Sequence, residues 1–218
     1  MGNQKRPIAQ HGVRGGRYAR RGATAATVKD LLYLISVEYS KNASEQDLFG
    51  DNKKLLRRRQ EQPETGTITT TSPDPDFEAA IGIRLPGTVG VKKVRQVGER
   101  RFDLCFSPTY VEKADDGSEE TYDVGVKVWL HNVAFSEGNA THGTNTDNTT
   151  FANATYNMTI YGVPAMVIDE VSGEPMPYMD EHGEGRELWC SICTADEEGY
   201  DTFDQSPPDA IIDIDAMG

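Results

Sequence analysis

The chain has 218 residues and a formal net charge of −13, with 37% hydrophobic residues. That is enough for one domain with extensions, whose core covers part of the length while loops or arms take up the rest. No run reaches the ~18 apolar residues that a membrane-spanning helix needs. The basic start is followed by no apolar stretch and so does not read as a secretory signal. The three cysteines, Cys105, Cys190 and Cys193, fit no disulfide framework and point to formation in a reducing cytoplasm.

The layout of charge says more than its total. Residues 1–22 carry Lys5, Arg6, Arg14, Arg17, Arg20 and Arg21 and no acid, whereas from Asp169 onward the many carboxylates are opposed by Arg186 alone. Two solvated ends would account for this; so would ends of opposite sign that meet between neighbouring subunits of an assembly.

In chain order, 1–27 is rich in Gly, Arg, Ala and Thr without periodicity and is expected to be an arm with little structure of its own. Leu31 to Tyr39 reads as the first strand, with Leu31, Tyr33, Ile35 and Val37 on one face and Leu32 and Leu34 on the other. A turn follows at Asp47–Asn52. Lys53 to Gln62 would make one or two helical turns before Pro63 stops them, but the preferred reading of 41–65 is a long exposed loop. Its basic run lacks interleaved aromatics, so a solvated or partner-facing role is favoured over nucleic-acid binding.

Thr67–Thr71 is β-branched throughout and predicts a strand. Residues 74–82 predict a short helix: Asp74 caps it, Pro75 takes the first position, acids fill the first turn, and Gly82 ends it. Phe77, Ala80 and Ile81 fall on its inner side. Val89, Val91 and Val94 suggest a short strand, and Arg101–Val111 a clearer one with Phe102, Leu104 and Phe106 inward. Tyr122–Phe135 is expected to be the longest strand, with a switch of apolar parity that places a bulge or bend at His131-Asn132. Ser136–Thr150 is a predicted loop. Ala152–Tyr161 alternates, with Tyr156, Met158 and Ile160 inward and Asn153, Thr155, Asn157 and Thr159 outward. After a turn and a flexible acidic segment over 164–185, Glu187–Thr194 is expected as the last strand, with Leu188, Cys190 and Ile192 on one side. The tail 195–218 is acidic and expected to dock weakly or not at all, with Ile211–Ile214 as a candidate strand edge.

The fold class expected is mainly β (α+β): an antiparallel β-sandwich or barrel with one short flanking helix, a long loop and extended terminal arms. The divisions are an arm over 1–27, a domain over 28–194, and a tail over 195–218.

Discrete chemistry is sparse. Cys190-Ser191-Ile192-Cys193 lacks the second pair that zinc requires, and it lies in a strand pattern rather than at a helix start. His11, His131, His142 and His182 lie in separate segments, and His131 is read as a structural histidine at the bend. The acidic runs lack the spacing of a calcium loop. Asn-x-Ser/Thr sequons at Asn42, Asn139, Asn148, Asn153 and Asn157 are explained by composition. No set of residues suggests catalysis, and no metal or cofactor is expected.

The order of elements resembles the major tail protein, or tail tube subunit, of long-tailed bacteriophages. The likeness runs from about Leu31 to Tyr161. It comprises the early apolar strand, the Phe49-Gly50-Asp51-Asn52 turn, the Gly66–Thr69 strand and the Asp76–Gly82 helix. The Phe102–Phe106 strand and the long Val124–Phe135 strand with Trp129 complete it. The basic Lys53–Arg59 loop and the long acidic tail depart from the simplest members.

The resemblance implies a β-sandwich with a flanking helix and a structural subunit of the virion tail, not an enzyme. Such subunits would form stacked, hexameric rings that make a hollow conduit for double-stranded DNA, which passes without specific binding. Their partners would be tape-measure, tail-terminator and distal-tail proteins, and not a membrane. A negatively charged bore would repel phosphate and let DNA slide. The interface candidates are Lys53, Lys54, Arg57, Arg58 and Arg59 in the loop, and Arg14, Arg17, Arg20 and Arg21 in the arm. The alternative is a capsid decoration or head–tail joining protein, which would bind a preformed lattice without polymerising.

Overall fold

The computed structural model describes residues 9–21, 27–50, 53–87, 90–113, 119–123, 125–138, 153–169 and 172–212. The strands are β1 Ala9–Arg20, β2 Val28–Asp30, β3 Leu34–Gly50 and β4 Lys53–Thr70, followed by helix α1, Pro75–Ile81. Then come β5 Arg84–Pro86, β6 Val91–Lys93, β7 Arg101–Lys113, β8 Glu119–Asp123, β9 Val126–Glu137 and β10 Ala154–Ile160. The C-terminal part holds β11 Val163–Pro164, β12 Met166–Ile168, β13 Pro175–Pro177, β14 Glu187–Leu188, β15 Cys190–Thr194 and a 3-10 turn at Tyr200–Thr202.

One antiparallel sheet organises the molecule, in the order β2-β1-β7-β9-β10-β4-β3, with β8 added to β7 and β15 to β9. It folds over on itself into a sandwich-like arrangement rather than a closed barrel. β1 lies against β3 so closely that a Cβ on Gly16 would stand 2.8 Å from the Leu34 side chain and 3.1 Å from the Leu31 carbonyl. Between the layers lies a core that includes Ile68, Phe77, Phe102, Leu130, Phe135 and Tyr156. Phe77 is its centre, meeting Tyr18 at 5.1 Å, Phe135 at 5.1 Å and Tyr156 at 5.2 Å edge-on, the geometry that aromatic quadrupoles prefer.

Helix α1 forms for the reasons its sequence gives. Asp74 Oδ1 accepts from the N–H groups of Asp76 at 3.0 Å and Phe77 at 3.1 Å, satisfying donors that a helix start leaves open. Its Oδ2 accepts from Leu32 N at 3.0 Å, so the cap also ties the helix to the chain ahead of β3. Gly82 ends the helix at φ 87°, which only glycine adopts freely. Arg100 then closes the exposed carbonyls of Ala79 and Ala80.

Strand β9 carries the bend. Val128 and Leu130 join the core on one side of it, Val133 and Phe135 on the other, and Asn132 between them has φ 56°. The bulge is also where β9 changes partner. Its first half pairs with β15, from Val126↔Thr194 to Leu130↔Cys190, and its second half pairs with β10, from Val133↔Ile160 to Glu137↔Tyr156. One strand thus serves two neighbours along a single edge because the bulge re-aims it.

Several elements differ from expectation. The arm is not bare: β1 runs the length of β7 from Ala9↔Val111 to Arg20↔Phe102. Small residues let it lie between β7 and β3, and Tyr18 and Ala19 are buried there. The segment expected as a loop over 41–65 is instead the distal part of the β3–β4 hairpin, laddered to Gly50↔Lys53. Pro63 does not end a helix but sits in β4 at the irregularity between the Ser40 and Asn42 pairings, a place where a missing N–H is tolerated.

The expected single strand Tyr122–Phe135 is two strands, interrupted at Gly125 with φ 65°, so β8 turns back on β7. Leu31–Tyr39 begins its strand only at Leu34, because Tyr33 takes φ 63°. In the last strand, a break at Trp189 leaves Ile192 60% exposed and turns Cys193 inward. Ile211 does add an edge, as a parallel bridge to Met166. Most of the predicted loop 136–150 lies outside the described residues.

Candidate assembly interface

The β3–β4 hairpin has two parts. Thr65 to Thr70 of β4 lie between β3 on one side and β10 on the other. From Gln62 outward, β4 pairs with β3 alone among the described residues. The distal part, 42–50 with 53–62, is therefore a two-stranded ribbon that leaves the body of the sheet. At about 3.3 Å per residue it extends roughly 30 Å. Such a ribbon is marginal in water without a further partner.

Register explains how the ribbon keeps its pairing. Glu45 stands opposite Arg59 and Asp47 opposite Arg57, so oppositely charged residue types face each other across the ladder. Lys53, Lys54 and Arg58 stand opposite Gly50, Phe49 and Gln46. The five basic candidates of the sequence are thus brought together on one strand of the ribbon.

The arm arginines divide. Arg17 binds within the chain, Nε to Asp30 at 3.2 Å and Nη1 to Asp204 at 2.6 Å. Arg21 donates to Asp103 at 2.7 Å. These two are tied to carboxylates of their own chain. Arg14 and Arg20 lie exposed on β1.

The acidic tail also differs from expectation, for residues 200–204 dock on β9. Trp129 Nε1 donates to the Phe203 carbonyl at 2.7 Å, and Lys127 donates to the Tyr200 carbonyl at 2.7 Å and Asp204 at 2.8 Å. Burial raises the Asp204 carboxyl, but the opposing pull of Lys127 and Arg17 is greater and holds it below the usual carboxylate range.

Two buried polar clusters were not legible beforehand. Glu78, 2% exposed, pairs with Arg84 at 3.0 Å and with Lys93, and lies 3.5 Å from the Tyr156 hydroxyl. It fixes α1 to the β5–β6 hairpin and to β10. The other cluster joins β7, β9 and β15: His131 Nε2 lies 2.8 Å from Ser191 Oγ, and its Nδ1 lies 3.6 Å from Asp103 Oδ1.

Asp103 also accepts from Arg21 and from Asn132 N at 3.0 Å. Burial raises its carboxyl, yet the His131 imidazole, Arg21 and Asn132 together hold it below its ordinary value. These are the residue types of a nucleophile relay. Their placement is that of a structural tie, because His131 is fully buried and the acid is already engaged by a guanidinium.

The cysteines are free thiols. Burial pushes Cys105 up to about 12 and Cys190 up to about 11, and it raises Cys193 as well, which leaves unreactive thiols rather than a redox pair. Among the described residues, no group of three or more His, Cys, Asp or Glu could hold a metal ion. No helix there is long and apolar enough to cross a membrane.

No family model matches the chain, and no curated protein does. Among solved structures the chain is similar to one titled "Crystal structure of Hcp protein" at 11% identity and a TM-score of 0.32, covering 67% of this chain and 88% of that one.

Proposed function

We propose that the protein is a structural tube subunit, the major tail protein of a long-tailed phage virion, that assembles with copies of itself into stacked rings. The observation that carries this reading is the ribbon 42–50/53–62. A two-stranded ribbon about 30 Å long, with no third strand beside it among the described residues, is marginal by itself and suits a subunit that must grip its neighbour. Open edges suit the same role. The main sheet ends on β2 and β3 and is not closed into a barrel, and the ends of an open sheet suit strand addition between subunits. The sandwich-like sheet with its flanking helix is the architecture that the resemblance in sequence implies. The role is mechanical, with DNA as cargo of the finished conduit and no catalytic site required.

Negative-stain microscopy of the purified protein across concentration tests it. Rings or hollow tubes are expected. Uniform small particles at every concentration would instead favour a decoration or joining protein.

A further inference from the structure

We infer that the corner Leu32-Tyr33 of one copy plugs into a trough at the far end of helix α1 in another. The inference rests on the assembly reading above and names a contact that joins the copies.

The corner is built against its own stability. Tyr33 has φ 63°, a conformation that glycine or asparagine takes readily and a bulky aromatic does not. Main-chain bonds hold it there: Thr71 N donates to Tyr33 O at 2.9 Å, and Leu32 N donates to Asp74 Oδ2 at 3.0 Å. What the turn uses is the backbone of residue 33; its ring is 58% exposed, and Leu32 beside it is 48% exposed. Two large apolar side chains on a strained, anchored turn make a projection, and strain of this kind clusters at functional sites. The bonds to Thr71 and Asp74 place the corner at the start of α1, where Asp76 is exposed in the first turn and gives the projection a negative flank.

The trough lies at the other end of α1, seven residues or roughly 10 Å along the helix. It begins at Ile83, just past the Gly82 cap, and runs between Val94–Gln96 and the end of β9 at Ser136 and Glu137, with a volume of about 400 Å³. Past Gln96 and Ser136 it continues beside Phe135. It exists because β7 pairs with β9 only as far as Ala134, so the last residues of β9 have no ladder partner on that side among those described. Ile83 and Phe135 are buried and form an apolar floor, while Gln96, Ser136 and Glu137 put polar groups on the rim. Of the two bases there, Lys93 is shared between Glu78 and Glu137. Arg95 is exposed and has no carboxylate partner among the described residues.

Corner and trough match in chemistry and sign. An aromatic body with a hydroxyl tip suits an apolar floor with a polar rim, and Asp76 beside the corner complements Arg95 beside the trough. The two surfaces sit at opposite ends of one short helix, so a copy docked by its corner still offers its own trough to the next. Such heterologous contacts propagate rather than stop at a dimer.

Tyr33→Asn in the full-length protein separates the two roles of the residue. Asparagine tolerates the left-handed backbone, so the urea midpoint should equal or exceed that of wild type, while the concentration needed for assembly should rise about tenfold. Unchanged assembly would overturn the inference. A midpoint that falls together with assembly would assign Tyr33 to the fold and overturn it as well.

Charge exchange identifies the receiving surface. Asp76→Arg and Arg95→Glu should each weaken assembly, and an equimolar mixture of the two should restore it, because each corner then meets a trough of opposite sign in the other variant. A mixture that assembles no better than its components would overturn the docking while leaving the assembly reading intact. Wild-type protein that stays monomeric under the microscope at every concentration would overturn both.

Discussion

Trp129 donates its indole N–H to the main-chain carbonyl of Phe203 at 2.7 Å, across 74 residues of sequence. That bond, with Lys127 and Arg17 on Asp204, makes the start of the acidic tail part of the folded body. Trp129 is fully buried, so Trp129→Phe keeps most of the packing and removes the donor. The Phe203 carbonyl then loses its partner, at a cost of about 1–3 kcal/mol. A lower urea midpoint and faster proteolysis within 195–204 are the expected results. A tail that stays equally protected would show that Lys127 and Arg17 hold it without the indole.

Asp103 sets an acid limb to stability. Its carboxyl is held below its ordinary value of 3.8 in the folded state, so the folded protein binds this proton more weakly than the unfolded chain does. The stabilisation is therefore fully present above the unfolded pKa and is lost as pH falls through the folded one. Urea midpoints of wild type and Asp103→Asn should differ most near neutral pH and converge as pH drops below about 4. A constant gap over that range would assign the effect to packing instead of charge.

Gly66 is fixed by contact. A Cβ there would lie 2.0 Å from the Glu38 carbonyl oxygen and 2.8 Å from the Tyr39 Cα, both backbone atoms of β3 that cannot swing aside. Gly66→Ala must part β3 from β4 at the root of the ribbon. Gly173→Ala is the control, since Gly173 has φ 70° but nothing within 4 Å of its would-be Cβ. It meets backbone strain alone, costing about 1 kcal/mol. Thermal unfolding should show Gly66→Ala as much the more damaging of the two.

What was legible in the sequence follows from how local the cause is. Helix α1 is specified by Asp74, Pro75 and Gly82 within a few residues of one another, and its bounds came out nearly to the residue. The parity switch at His131-Asn132 was equally local and became the bulge. The strand Ala154–Ile160 showed its buried Tyr156, Met158 and Ile160 by simple alternation. Missed features had distant causes. β1 is a strand because β7 offers it a partner some ninety positions away, not because 9–20 has strand-like periodicity. The run Lys53–Gln62 carries neither apolar period in its sequence, and pairing with 42–50 makes it extended. Arg17 and Arg21 looked like free arm cations because Asp204 and Asp103 are remote in sequence. The Glu78 cluster was hidden in the same way, an apparent first-turn acid whose partners lie on the β5–β6 hairpin.

The ribbon supplies the decisive variant for the proposed role. Its residues beyond Asn42 and Gln62 pair only with each other among those described. Replacing 43–61 with a two-residue Asn-Gly turn, which suits the right-handed twist of paired strands, should leave the body folded. Its thermal unfolding should stay within a few degrees of wild type. Tubes, however, should not form at any concentration at which the wild type forms them. Sedimentation and negative-stain microscopy on the same samples read both properties. A shortened chain that still builds tubes would move the longitudinal contact to the sheet edges and Arg14 and Arg20 of β1. One that fails to fold would show that the ribbon holds β3 and β4 together.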